Sequence, residues 1–146
     1  MLLPFKYKMP GYILIFIGMI LSILFFTINF RFQIPVLVLV SSYMETRFFT
    51  IFNTNFADEL IFISLLTGFS LVVFSREKNE KDFYNSLRLR ALVKTVITNT
   101  VFMIFSVLFI FGSAFMGIIV LNIFLPFIVY LVFFNFMRRR EIAQNN

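Results

Sequence analysis

Ser75-Arg76-Glu77-Lys78-Asn79-Glu80-Lys81-Asp82-Phe83-Tyr84-Asn85-Ser86-Leu87-Arg88-Leu89-Arg90 is the one long run in this chain whose composition demands water. Apolar segments flank it on both sides. With Lys94 just beyond, it carries six cations, and Lys and Arg gather in the loops that stay on the cytoplasmic side of a membrane protein. The fold turns on whether the flanking segments cross a bilayer, and on which side they leave this stretch.

The composition answers the first question. Of 146 residues, 60% are hydrophobic and only 14% charged, with 24 Phe and a mean hydropathy of +0.94. A soluble domain averages about 45–50% apolar and about 25% charged residues, and one of this size still leaves roughly a third of its unfolded-chain surface in water. So much apolar surface needs lipid as solvent. The net charge of +6 then reads as a topology signal. No basic stripe interleaved with stacking aromatics is long enough to hold a nucleic acid, so no nucleic-acid partner is expected. The chain has no Cys and no His, which removes disulfides, thiol nucleophiles, metals held by imidazole or thiolate, and His-based proton transfer. No cofactor is expected.

Outward from the central stretch, four apolar segments follow. Residues 12–30 run without a charge for about 28 Å at about 1.5 Å per residue, close to the roughly 30 Å hydrocarbon core. Pro10-Gly11 marks the start of this helix, and the run is too long for a cleaved signal peptide. Residues 58–75 form a second, shorter span. Asp58 and Glu59 open it, placed where a helix N-terminus favours carboxylates. Residues 91–112 form the third. Phe83, Leu87 and Ala91 recur every four positions ahead of it, so one long helix from about Asn79 to Phe111 is predicted, its first turns standing out of the membrane. Gly112-Ser113-Ala114-Phe115-Met116-Gly117 is an uncharged connection, and residues 117–136 form the fourth span, with Pro126 inside and Arg138-Arg139-Arg140 as a basic stop.

Residues 31–57 are too broken to span. Pro35 interrupts Ile34–Val40, and Arg31, Glu45 and Arg47 bracket it. The segment reads as an extracytoplasmic loop able to hold a hairpin turning at Ser41-Ser42, with Arg47–Phe52 as its second strand. Orientation follows from charge. The N-terminal lead, the connector 76–90 with Lys94, and the C-terminal tail hold eleven of the 13 Lys and Arg. They share one side only if the crossings between them are even in number. The expected fold is therefore an all-α integral membrane protein, a single membrane domain over residues 1–146. It is a four-transmembrane-helix antiparallel bundle with both termini cytoplasmic and the third helix extended into the cytoplasm.

Candidate sites are few. Ionisable groups at membrane depth mark ion and proton pathways, and none falls in the middle of a span, which weakens any ion-coupled transporter. Gly18 with Ser22, and Ser64 with Gly68, repeat a small-xxx-small spacing that lets helices approach closely. Asn99 and Asn122 are the polar intramembrane residues. Counted inward they fall in opposite halves of the bilayer and are not expected to meet. Glu45, Asp58 and Glu59 lack a ligand-loop pattern, so capping and solvation are preferred to a cation site and no metal is expected. In the connector, Phe83, Tyr84 and Leu87, with Arg88 and Arg90, would give a protein partner an apolar handle ringed by cations. The default reading of such a stripe is a solvated connector packing on its own bundle or on the bilayer.

Asp58-Glu59-Leu60, Phe74-Ser75-Arg76-Glu77-Lys78-Asn79-Glu80, Leu87-Arg88-Leu89-Arg90-Ala91-Leu92 and Gly112-Ser113-Ala114-Phe115 together resemble a group of small uncharacterised four-helix inner-membrane proteins of Bacteroidota. The resemblance covers about residues 55–136 and departs in the first 50. It implies a bacterial inner membrane and carries over no activity. The expected function is that of a non-enzymatic accessory or signalling protein, seated in the lipid bilayer and acting through a membrane or cytoplasmic protein partner. The alternative is a small transporter or channel, a homo-oligomer using the Thr- and Asn-rich third helix.

Overall fold

The computed structural model describes residues 2–28, 33–41, 47–78 and 83–144. After a short 3-10 turn at Phe5–Tyr7, the elements are α1 (Lys8–Ile28), β1 (Gln33–Ser41), β2 (Arg47–Asn55), α2 (Ala57–Phe74), α3 (Tyr84–Phe109) and α4 (Ser113–Gln144). By length and composition, the four helices can each cross a membrane. The chain divides into two compact bodies, Met1–Tyr12 with Leu66–Asn146, and Ile13–Leu65.

In the Ile13–Leu65 body, β1 and β2 pair antiparallel from Gln33↔Asn55 to Ser41↔Arg47, so the hairpin anticipated inside the first loop is present. The β-branched run of β1 and the Phe, Thr and Ile of β2 suit a pleated surface. Its turn, with Ser42 and Glu45, lies outside the described residues. Asn55 accepts the Ala57 N–H at 3.4 Å, and Asp58 and Glu59 occupy the first turn of α2. A Cβ on Gly18 would stand 2.7 Å from Leu65 Cδ2, so α1 and α2 touch backbone to side chain there.

The other body is built on a stripe along α3. Tyr84, Leu87, Ala91, Thr95 and Ser106 are its buried residues, spaced three or four apart except for the last step, as one helix face requires. Tyr84, Leu87 and Ala91 pack with Val73, Tyr130 and Phe134 into one apolar cluster. Further along, the stripe turns polar but small. Thr95 donates to the Ala91 carbonyl at 2.9 Å and Ser106 to that of Phe102 at 2.8 Å, which satisfies each hydroxyl within its own helix. Gly11 lies against α2, where an added Cβ would meet Val72, Leu71 and the Gly68 carbonyl at 2.9–3.1 Å.

Four expected boundaries are corrected. α1 begins at Lys8, because Pro10 falls in its first turn, where the missing N–H would have had no partner anyway. Its expected last residues, 29 and 30, lie outside the described residues. α3 begins at Tyr84 rather than near Asn79. Residues 79–82 lie outside the described residues, and Ser75 is held in an extended bridge to Leu3. There the Leu3 N–H donates to the Phe74 carbonyl and the Arg76 N–H to the Leu3 carbonyl, both at 2.9 Å. The link between α3 and α4 is only Ile110, Phe111 and Gly112, with Gly112 at φ +72° making the turn. α4 does not stop at the basic triplet. It runs 32 residues, about 48 Å.

Candidate functional site

The charged residues nearest the ends of the apolar helices converge. Lys8, at the start of α1, reaches Glu77 in the segment after α2, Nζ to Oε1 at 2.5 Å. Arg138, two turns before the end of α4, approaches the same oxygen at 3.1 Å. Arg88 of α3 donates through Nη1 to the Ser75 carbonyl at 3.3 Å. Residues this far apart in sequence meet because each is the charge bordering an apolar helix at one end of this body.

Lys8 and Glu77 are nearly enclosed, with side chains 12% and 16% exposed. At that depth water screens them poorly, and removing one partner of such a pair strands the other. Phe134 lies below this group. The guanidinium carbons of Arg88 and Arg138 sit 5.4 and 5.9 Å from its ring centroid, within the range of cation–π attraction. Tyr130 stacks on Phe134 at 6.0 Å, and Tyr84 meets it edge-on at 6.2 Å. The Phe134 ring thus attracts both guanidinium groups.

Above Phe134 opens a cleft of about 270 Å³, lined by Lys8, Glu77, Arg88 and Arg138, by Tyr12, Tyr130, Ser75 and Asn135, and by apolar Phe5, Met9, Val72, Val73 and Leu131. Among the described residues its lining holds three cations and one carboxylate. Val73 and Tyr130 also line a second, apolar groove of about 230 Å³, completed by Phe74, Leu92, Thr95, Val96, Asn99, Thr100, Pro126 and Phe127.

The anticipated partner residues divide. Tyr84 is 6% exposed and Leu87 1%. They fill the chain's own core and are not a handle for another protein, because Tyr130 and Phe134 already cover that face of α3. Phe83 is half-buried, edge-on to Tyr84 at 4.8 Å. Arg88 faces the cleft. Arg90 remains outward, its side chain 58% exposed and 3.6 Å from Glu141. Arg139 and Arg140 are exposed as well, Arg140 lying 4.9 Å over the ring of Phe136.

Asn99 and Asn122 do meet, which corrects the expectation that they would not. Asn122 Nδ2 donates to Asn99 Oδ1 at 3.0 Å. With the turn at 110–112, Asn99 lies ten residues before the end of α3 and Asn122 nine after the start of α4, so both stand at one level. Starting the fourth span at residue 117 places Asn122 too near its end, whereas α4 begins at Ser113. Of the small-residue pairs, Gly18 lies against Leu65, beside buried Ser64, and Gly68 lies against Gly11; Ser22 is half-buried. Among the described residues no three of His, Cys, Asp and Glu come together as metal ligands, and Glu45 lies outside them.

Sequence reasoning missed Lys8, Glu77 and Arg138 as a unit. The signal was present, since each borders an apolar segment at the end assigned to one side by charge. No protein-family model, curated protein or solved structure matches the chain.

Proposed function

We propose that this chain is a four-span protein of a bacterial inner membrane, an antiparallel bundle with both termini and the 76–90 connector in the cytoplasm, working by binding rather than catalysis. The observation that carries this is the division of cations at one end of the body formed by Met1–Tyr12 and Leu66–Asn146. Lys8, Arg88 and Arg138 turn inward on Glu77, Ser75 and Phe134, whereas Lys78, Arg90, Arg139 and Arg140 stand in the open. The outward set, with half-buried Phe83, forms a basic rim suited to an acidic protein partner, in keeping with an accessory or signalling role. The chain has no Cys, so single-cysteine variants report topology cleanly. Lys78→Cys is expected to react with an impermeant thiol reagent only after the cytoplasmic side is opened; labelling of intact cells would sink the orientation. For the partner, pull-downs in mild detergent with Arg90→Glu/Arg139→Glu should lose partners that the wild type retains. An unchanged set would end that part of the reading.

The Asn99–Asn122 pair favours a second reading, an oligomeric channel or transporter for a small solute. Each amide is engaged by the other, so solute passage would have to break their bond. Liposome flux that is raised by Asn122→Ala would support this reading, and no flux under any gradient would dismiss it.

A further inference from the structure

We propose that the outer edge of β2 is an interface with a second copy of this chain, the two hairpins joining as one four-stranded antiparallel sheet in the order β1-β2-β2-β1. The inference lies wholly within the Ile13–Leu65 body. It depends neither on the basic rim nor on the orientation of the chain in a membrane.

One proline decides which edge is open. β1 and β2 make a sheet of two strands, and a hairpin of two strands alone is marginally stable. In an antiparallel ladder, facing residues alternate between pairs that exchange both backbone bonds and pairs that exchange none. Pro35 faces Asn53 and has no N–H, so theirs is a pair of the second kind. The flanking pairs, Ile34↔Thr54 and Val36↔Phe52, are then the bonded ones. The backbone groups of Pro35, of Asn53 and of every second residue from them therefore point away from the hairpin. On β1 that outward row is interrupted, because Pro35 supplies a carbonyl and no donor, which is how edge strands are kept from pairing. On β2 the row holds Arg47, Phe49, Ile51 and Asn53, each with its N–H. Among the described residues no third strand lies against it.

The strand's own sequence selects a copy of itself. β2 runs nine residues, Arg47–Asn55, with Ile51 at its centre. Antiparallel pairing about Ile51 overlaps the whole strand. Ile51 then faces its counterpart, Phe49 faces Asn53, Phe48 faces Thr54 and Thr50 faces Phe52 of the second copy. The last two are aromatic–β-branched pairs, a combination that stabilises adjacent strands. Charge agrees with this arrangement. Arg47 is the one ionised residue of β2, and the register parts it from its counterpart by about 27 Å along the strands. Parallel pairing would set the two arginines side by side. Ile51 is 72% exposed and Asn53 is exposed too, so the centre of the edge is accessible.

The test uses the full chain in mild detergent, where light scattering should find a dimer of the 17.3 kDa polypeptide. Single cysteines then locate the contact, since the chain has none of its own. Leu37 and Ile51 face each other across the hairpin. In the four-stranded sheet, two copies of Ile51→Cys lie at a Cα separation of about 5.5 Å, within disulfide reach. Two copies of Leu37→Cys stand about 14 Å apart, too far to bridge. Mild oxidation should therefore give at least fivefold more disulfide dimer from Ile51→Cys. Ile51→Lys, at an exposed position, sets like charges face to face and should lower the dimer fraction at least fivefold. Ile51→Glu should do the same, and co-expression of the two variants should restore the dimer. A monomeric wild type, equal crosslinking from the two cysteines, a dimer indifferent to Ile51→Lys, or a Lys and Glu mixture that stays monomeric would each overturn the proposal. If Ile51→Cys crosslinks in membranes to a different protein and not to itself, the edge takes a foreign strand and the second-copy assignment falls.

Discussion

The two ends of the α3–α4 pair are built on opposite plans. At the charged end, Tyr84, Leu87 and Ala91 interlock with Tyr130 and Phe134, and Glu77 ties in Lys8 and Arg138. At the Gly112 end, a Cβ added to Gly112 or Gly117 would meet nothing within 4 Å, and Phe105, Phe109, Phe111 and Met116 are all more than half exposed. One end satisfies its side chains with each other. The other leaves them to the surrounding medium, an apolar one on the proposed membrane reading. The contrast teaches that internal packing is concentrated where charges have to be accommodated; on the proposed membrane reading, that is where the medium changes from lipid to water.

Substitutions can break that contrast or sharpen it. The largest effect is expected from Leu87→Ala, which empties a fully buried site. A loss of about 2–5 kcal/mol is typical of such truncations, and it should appear as a large drop in thermal midpoint in nanodiscs. Next is Glu77→Gln, which leaves Lys8 and Arg138 facing each other without their carboxylate. A cost of about 1–3 kcal/mol is expected for the lost charge-assisted bonds, again read from the midpoint, and Glu77→Asp should recover part of it. Gly112→Val tests the open end. It meets no neighbour but must hold φ +72°, a left-handed conformation costing about 1–2 kcal/mol for an L side chain. Asn122→Ala should cost about 1 kcal/mol or less, measured the same way. The smallest effect belongs to Gly117→Ala. It sits in open space within α4 and should stabilise slightly, by up to about 1 kcal/mol. If Gly117→Ala proved as damaging as Leu87→Ala, the supposed open end would be packed after all.

Much of this architecture was legible in the chain, for identifiable reasons. Four apolar runs separated by Arg31, by Ser75–Arg90 and by Gly112 leave little freedom in the number of long helices. The aromatic and β-branched residues of 47–52 likewise announced a strand beside Ile34–Val40. What the sequence hid was phase and level. The spacing of Phe83, Leu87 and Ala91 points to Phe83, whereas the buried residue is Tyr84, one step away, because two adjacent aromatics offer no composition cue. A turn read over Gly112–Gly117 separates Asn99 and Asn122 in depth, whereas Ser113 and the residues after it are already helical. The cleft was invisible for another reason. Lys8 and Glu77 are 69 residues apart, and no local pattern reports a pairing made by tertiary structure.

Arg138, Arg139 and Arg140 show what a run of identical residues becomes on a helix. Successive positions point about 100° apart, so one guanidinium is turned to Glu77 and Phe134, the next faces outward, and the third lies back over Phe136. An alanine inserted before Arg138 would keep every charge while rotating all three bearings by one step. The charge of the tail and the pairing of Glu77 would then come apart, which makes angular position along α4, and not the number of arginines, the quantity on which that end depends.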